Sequence, residues 1–194
     1  MEPFLAILYV HVIATLGLVA AIGAEAFAQQ QFSRAAAQGD LAYWVNPMPA
    51  IGVVGSTCLL VLFFSGGYLT HHVGLWRMAW PKIAIGIVIA FGALAGISNR
   101  RLRKIRRAYT QPDLPHAEIM RKLQSPLLKV SLSIRTGLVL AAAWLMIAKP
   151  NGLDSLGIVL ALVIICWGLA AFIKPGGQAR STVPAHREFD HSVR

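Results

Sequence analysis

The sequence predicts an all-α fold, an integral membrane bundle of five transmembrane helices with its N-terminus outside and its C-terminus in the cytoplasm. Of the 194 residues, 56% are hydrophobic and only 13% are charged. Soluble domains carry about 25% charged residues, so this composition excludes an ordinary soluble fold. Cys58 and Cys166 both lie in apolar runs, where neither a disulfide framework nor a zinc site is indicated.

Five apolar runs are long enough to cross a hydrocarbon core, which takes about 20 residues. The predicted spans cover about residues 4–27, 50–71, 79–98, 127–148 and 153–173. They form one transmembrane domain over residues 1–174, and residues 175–194 are predicted to be a flexible cytoplasmic tail. The first run has no basic segment before it and is longer than a signal-peptide core, so we expect it to be retained.

The cations are distributed unequally between the two sides of the predicted bundle. One side carries Arg34, the eight Lys and Arg residues of positions 100–122, Lys174 and the three Arg residues of the C-terminal tail. The other side carries only Arg77, Lys82 and Lys149. Because the basic side of a membrane protein faces the cytoplasm, we expect a multi-pass protein of the bacterial inner membrane with its N-terminus outside.

The cytoplasmic loop, residues 99–126, begins with the basic run "NRRLRKIRRAY". We expect this run to continue the third helix and to bind anionic lipid headgroups, at about 1 kcal/mol per charge. The cations concerned are Arg100, Arg101, Arg103, Lys104, Arg106 and Arg107. Beside a membrane span this pattern favours a topology anchor, so nucleic acid is not an expected partner. The following "LPHAEIMRKLQS" is typical of an amphipathic helix at the interface.

Ionisable groups inside the spans are costly and therefore suggest function. His11 lies in the first span, about 10 Å below the outer boundary at 1.5 Å per residue. Glu25 and Arg135 both lie in the cytoplasmic half, on spans that could be neighbours. An ion pair between them would offset two costly burials, and we favour this structural role over a proton path.

The segment "GGYLTHHVGLWRMAWPK" brings several polar groups to the outer end of the second and third spans. His71, His72 and Lys82 are expected in the same outer layer as His11, and Arg77 and Trp80 lie in the connecting loop. Each has an ordinary alternative: a histidine bonded within the bundle, interfacial polar residues, an aromatic belt, or a lysine that reaches the headgroups. The adjacent histidines are about 100° apart on a helix, so at most one should face His11.

Haem b fits this set of residues. It needs axial imidazoles, an apolar slot and cations for its propionates. His11 with His71 or His72 would supply the axial imidazoles, and Arg77 and Lys82 suit the propionates. No CxxCH motif is present, which excludes covalent c-type attachment. Copper is the competing metal, because imidazole and thioether ligands suit it; Met48 and Met146 are its candidate thioethers, although they are scattered.

Three segments resemble a known family. "LYVHVIATLGLVAAIGAEAFAQQQFSRA", "WRMAWPKIAIGIVIAFGALAGISNRRLRKIRR" and "GLVLAAAWLMIAKP" are similar to helices of the small integral membrane proteins grouped around HemJ and the CopD copper-resistance domain. The resemblance spans about residues 5–150 in order and spacing. It implies haem b and protoporphyrinogen oxidation, with His11 as a cofactor ligand and Lys82 as a catalytic residue. Pro81 before the lysine, the long basic loop and the fifth span depart from the family pattern.

These observations predict a haem-b-binding integral membrane redox protein, an oxidoreductase that transfers electrons or oxidises a porphyrinogen. A quinone, a porphyrin or a redox protein would be its partner, and a homo-oligomer is compatible with the sequence. Two alternatives stay open. A CopD-like copper-handling transporter predicts metal binding without a haem spectrum. A non-catalytic accessory subunit of a membrane complex predicts no cofactor, with His11 packed against a neighbouring helix.

Overall fold

The structure is a computed structural model that describes residues 3–38, 41–109 and 126–172. All regular elements in these residues are helices: α1 (Pro3–Gln38), α2 (Leu41–Val45), α3 (Met48–His72), α4 (Ala79–Tyr109), α5 (Pro126–Ala148) and α6 (Gly152–Phe172), with a 3₁₀ turn at Leu75–Arg77. Five of them, all except the short α2, are long and apolar enough to cross a membrane. The all-α fold and the number of spans are therefore as predicted. The predicted interfacial helix and the C-terminal tail lie outside the described residues.

The helix ends follow from local backbone chemistry. After α3, Gly74 takes a left-handed conformation with φ 72°, which a residue without Cβ adopts at little cost. Its amide donates to the His71 carbonyl, and the Val73 amide donates to the Leu69 carbonyl, so two of the last carbonyls of α3 are satisfied. At the end of α5, Lys149 is left-handed with φ 47°, and Pro150 prevents the helix from continuing.

Helix α4 continues past the apolar span into the basic run, as the sequence predicts. Leu102 and Ile105 are buried, whereas the six cations of residues 100–107 are all exposed. The run is thus an amphipathic extension, with its apolar stripe packed on a cluster that includes Val45, Met48 and Leu128. Short helix α2, which the sequence analysis did not predict, supplies Val45 to this cluster.

Two helix pairs form the bundle: α1 packs mainly on α3, and α5 packs mainly on α6, while α4 contacts both pairs. The α5–α6 pair approaches closely at Gly137, where a Cβ would lie 2.9 Å from the Cα of Val163. The main core cluster lies between α1, α4 and α5 and comprises Leu18, Ile22, Ile87, Phe91, Ala95, Leu138, Ala141 and Leu145. The face of α6 that does not pack on α5 is exposed and apolar, as expected for contact with lipid.

Candidate functional site

His11 is a buried polar side chain of α1, 9% exposed, and it is held by the neighbouring helix α3. Its Nδ1 lies 2.8 Å from the hydroxyl oxygen of Ser65. The Ser65 hydroxyl in turn donates to the backbone carbonyl of Val61 at 2.6 Å. Because that single hydroxyl hydrogen is used on Val61, the network assigns the hydrogen between His11 and Ser65 to Nδ1. The Nε2 atom of His11 is then unprotonated and carries a lone pair.

The His11 ring can occupy this position because α3 has a glycine beside it. A Cβ on Gly66 would lie 3.2 Å from the Cε1 atom of His11, closer than nearly all carbon contacts. The Thr15 hydroxyl, one turn further along α1, donates a hydrogen bond to the His11 backbone carbonyl at 2.9 Å, so this hydroxyl is bonded within its own helix. The sequence "FFSGGY" therefore supplies both the hydrogen-bond partner of the imidazole and the space that it occupies.

His11 lines a cavity of about 280 Å³ between α1, α3, α4 and α5, which we call the His11 cavity. Its other walls are largely apolar, and they include Leu62, Phe91, Ala142 and Met146. Nε2 has no hydrogen-bond partner among the described residues, and none of their buried side-chain nitrogens is sealed off without a partner. Nε2 therefore keeps some accessible surface, on a residue that lines the cavity. The volume lies just below the roughly 300–1,000 Å³ usual for cofactor sites.

The structure brings one further predicted site residue to this cavity. Trp80 is buried and lines it, with its indole N–H directed to the sulfur of Met78 at 3.4 Å. His71 and His72 are exposed at the end of α3 and do not line the cavity. The His72 ring stacks on Phe4, a lining residue, with a centroid distance of 5.3 Å.

The two predicted cations lie at the same end of the bundle as His11. Arg77 is exposed in the 3₁₀ turn, and Lys82 is exposed in the first turn of α4. Neither side chain lines the His11 cavity, although Trp80 and Pro81, which precede Lys82, do. His11 and Trp80 therefore line one cavity at this end of the bundle, whereas His72 lies beside Phe4, seven residues and about 10 Å from His11 along α1.

The ion pair predicted between Glu25 and Arg135 is present in the other half of the bundle. Arg135 donates from Nη2 to Oε1 of Glu25 at 2.5 Å, and both side chains are buried, 3% and 7% exposed as residues. Arg135 also donates from Nε to the Ser131 carbonyl at 3.4 Å, and its guanidinium lies 5.8 Å from the centre of the Phe91 ring. Gln29 adds a weak contact to Oε1 at 3.4 Å.

The ion pair lines a second cavity of about 240 Å³, which we call the Glu25 cavity. His11, Leu18 and Glu25 are spaced seven residues apart on α1, so each step is about 10 Å along one stripe of the helix. Leu18 lines both cavities, together with Leu59 and Phe91. One interior stripe of α1 thus connects the imidazole, a shared apolar wall and the carboxylate.

Two polar residues were missed in the sequence analysis: Ser65, the hydrogen-bond partner of His11, and Asn99 in the Glu25 cavity. Ser65 could have been found from its position in the "SGG" run opposite a histidine-bearing helix, and Asn99, which lines the Glu25 cavity, from its position at the end of an apolar span. Within the described residues, no three His, Cys, Asp or Glu side chains cluster as a metal site. His11 is therefore a single donor rather than one member of such a cluster.

The fold and the cavities define the class: an all-helical chain with five candidate membrane spans, which supports a multi-pass membrane protein. No protein-family model matches the chain, and neither the curated proteins nor the solved structures include a significant match.

Proposed function

We propose that this protein is a haem-b-binding integral membrane redox protein in which His11 is an axial ligand. The observation that supports this most is the bond between Nδ1 of His11 and Ser65, which leaves Nε2 free on a residue that lines an apolar cavity. Histidines that bind metals usually donate their other ring N–H to a neighbouring acceptor, which fixes the tautomer and the ring orientation. The His11–Ser65–Val61 chain has this arrangement.

The residues around His11 fit such a cofactor in three respects. The walls are apolar, which favours a macrocycle and lowers the local dielectric. Trp80 closes one side of the cavity. Arg77 and Lys82, exposed at the same end of the bundle, are the proposed partners of the propionates, and the resemblance to HemJ-type proteins also makes Lys82 the proposed catalytic residue. Haem b would serve as a one-electron carrier. His71 and His72 remain predicted second ligands.

An absorption spectrum of the purified protein, oxidised and dithionite-reduced, tests this proposal. We expect a Soret band that shifts on reduction and is lost in His11→Ala. His71→Ala and His72→Ala test the second ligand, because loss of an axial imidazole changes the spin state without abolishing binding. Tyr9→Ala is a matched control on the lipid-facing side of α1, since Tyr9 is 68% exposed. A colourless wild-type protein, expressed with ample haem supply, would contradict the proposal.

A copper-handling function is the second candidate, because Met146 lines the same cavity as His11. An imidazole and a thioether together suit Cu(I). Met48, the other methionine considered, is buried in the cluster of the Glu25 half, away from His11. On this alternative, the protein binds copper without a haem spectrum, and Met146→Leu lowers copper binding whereas Met48→Leu does not. An accessory role would instead leave the purified protein without either cofactor.

We also propose that the N-terminus and the α3–α4 and α5–α6 connections face the outside of a bacterial inner membrane. The excess of cations at the opposite end of the bundle supports this orientation. Gly74→Cys and Asn151→Cys, in a background without Cys58 and Cys166, should react with an impermeant maleimide added to intact spheroplasts. Arg103→Cys should react only after permeabilisation, and the reverse pattern would show the opposite orientation.

A further inference from the structure

The buried ion pair has hydrogen-bonding capacity that the protein does not use. The Nη1 group of Arg135 and the Oε2 atom of Glu25 have no partner among the described residues, since the bonds go through Nη2, Nε and Oε1. No buried side-chain polar atom in those residues is both sealed and unpartnered, so both atoms keep some accessible surface, and both residues line the Glu25 cavity. A buried ion pair is favourable only when its remaining donors and acceptors are satisfied, which calls for a polar occupant.

Asn99 provides a third polar group in the same cavity. Its side chain lies against the backbone of α3, where a Cβ on Gly52 would be 2.7 Å from its Oδ1 and 2.9 Å from its Nδ2. No side-chain hydrogen bond of Asn99 is formed among the described residues, and the residue lines the cavity. The amide thus offers a donor and an acceptor close to the ion pair.

The lining of the Glu25 cavity includes exposed residues on the side of the bundle, whereas its nearer end borders packed apolar side chains. At that end it meets the apolar cluster containing Met48, Leu102 and Leu128, because Ile51 both lines the cavity and packs on this cluster. On the side, its lining includes Ser56 and Leu60 of α3, which are exposed. In a bilayer this exposed side faces lipid, so the natural occupant is lipid-soluble.

The charges of the cavity restrict the head group of that occupant. Glu25 and Arg135 neutralise each other, so a charged head group would lose its hydration and gain no net opposite charge. A neutral group with an acceptor for Arg135 and a donor for Glu25 meets both requirements. The walls beside it, Leu18, Leu59 and Phe91, are apolar and are shared with the His11 cavity.

We propose that the Glu25 cavity binds the neutral head group of a lipid-soluble quinone or quinol. A carbonyl oxygen accepts from Arg135 and Asn99, and a quinol hydroxyl donates to Oε2 of Glu25. The choice of a quinone among neutral lipid-soluble molecules rests on the proposed redox function, whereas the binding itself does not need haem. The site lies next to the His11 cavity across the Leu18, Leu59 and Phe91 wall.

The test is a titration of decylubiquinone into the purified full chain in lipid nanodiscs, followed by calorimetry. Wild type and haem-free His11→Ala should both show saturable binding with the same Kd. Gly92→Leu, which places a side chain in the cavity beside Leu59, should raise the Kd by about tenfold or more. Gly96→Leu is the matched control, because a Cβ there meets nothing within 4 Å and Gly96 does not line the cavity.

Ser56→Leu gives a second obstruction, at the exposed side of the cavity, that leaves the core packing untouched. The proposal is overturned if Gly92→Leu and Ser56→Leu both bind decylubiquinone like wild type, or if no saturable binding occurs. It is also overturned if 1-decanol competes as well as the quinone, because the site would then recognise only the alkyl tail. Quinone binding that is blocked by Ser56→Leu in a protein without a haem spectrum would support this site and reject the proposed cofactor.

Discussion

The Ser65 hydroxyl lies 2.8 Å from Nδ1 of His11 while it donates its own hydrogen to the Val61 carbonyl, which assigns the hydrogen between the two side chains to Nδ1. A serine in an apolar helix usually bonds only to the carbonyl one turn earlier. Here the same hydroxyl also connects two helices and determines which nitrogen of His11 is free. The relationship makes Ser65 a positioning residue for whatever ligand Nε2 binds.

Ser65→Ala should weaken haem binding without abolishing it. The imidazole loses the acceptor that fixes its tautomer, and changes of this kind typically cost about 10–100-fold in affinity for a bound metal. Haem titration of the apo-protein, followed at the Soret band, measures the change. Ser65→Thr keeps the hydroxyl and should restore most of the affinity. Ser133→Ala is the matched control, because Ser133 donates to the Lys129 carbonyl at 2.9 Å and has no side-chain partner. Equal affinities in Ser65→Ala and wild type would remove Ser65 from the site.

Gly66→Ala should displace the His11 ring. The added Cβ would lie 3.2 Å from Cε1, so the ring must move by a few tenths of an ångström and the Ser65 bond must lengthen. We expect a shifted Soret maximum and a lower haem occupancy. Gly67→Ala, one position along, places its Cβ where nothing lies within 4 Å, and it should leave the spectrum unchanged. If both variants behave alike, the position of the ring is not set by this contact.

The spans and the ion pair could be predicted from the sequence because each depends on one property that can be read from the residues, either apolar length or the position of a charge. An uninterrupted apolar run predicts a span, and two opposite charges at the same depth predict a pair such as Glu25 and Arg135. The extension of α4 into the basic run was predictable for the same reason, since nothing in that run interrupts a helix. The continuation of α1 to Gln38 was not predicted, because its last turns are polar and lie beyond the apolar run.

The composition of the cavities could not be predicted, because it depends on how the helices rotate against each other. Helix α3 places Ser65 and Gly66 opposite His11, whereas His71 and His72 lie about 10 Å further along, at the exposed helix end. The wall shared by Leu18, Leu59 and Phe91 comes from three different helices. The seven-residue spacing of His11, Leu18 and Glu25 is present in the sequence, but the sequence analysis did not use it.

Glu25→Leu should destabilise the bundle more than the double variant Glu25→Leu/Arg135→Leu. Removal of one partner leaves the other charge buried, which costs about 3–5 kcal/mol, whereas an apolar pair of similar volume is often tolerated. Unfolding in mixed micelles with increasing SDS, followed by circular dichroism, measures both. Similar stabilities of Glu25→Leu and wild type would mean that solvent or lipid headgroups reach Arg135.

Gly137→Ala should separate α5 from α6. Its Cβ would lie 2.9 Å from the Cα of Val163 and 3.1 Å from the carbonyl oxygen of Leu162. Both are backbone atoms, so the helices must move apart, and overpacking of this kind costs about 1–3 kcal/mol. The same SDS titration measures the loss. Gly157→Ala on α6 is the matched control, since nothing lies within 4 Å of its Cβ; the higher helix propensity of alanine should leave it equal to wild type or up to about 1 kcal/mol more stable. Equal stabilities of the two variants would show that α6 is not held against α5 by this contact.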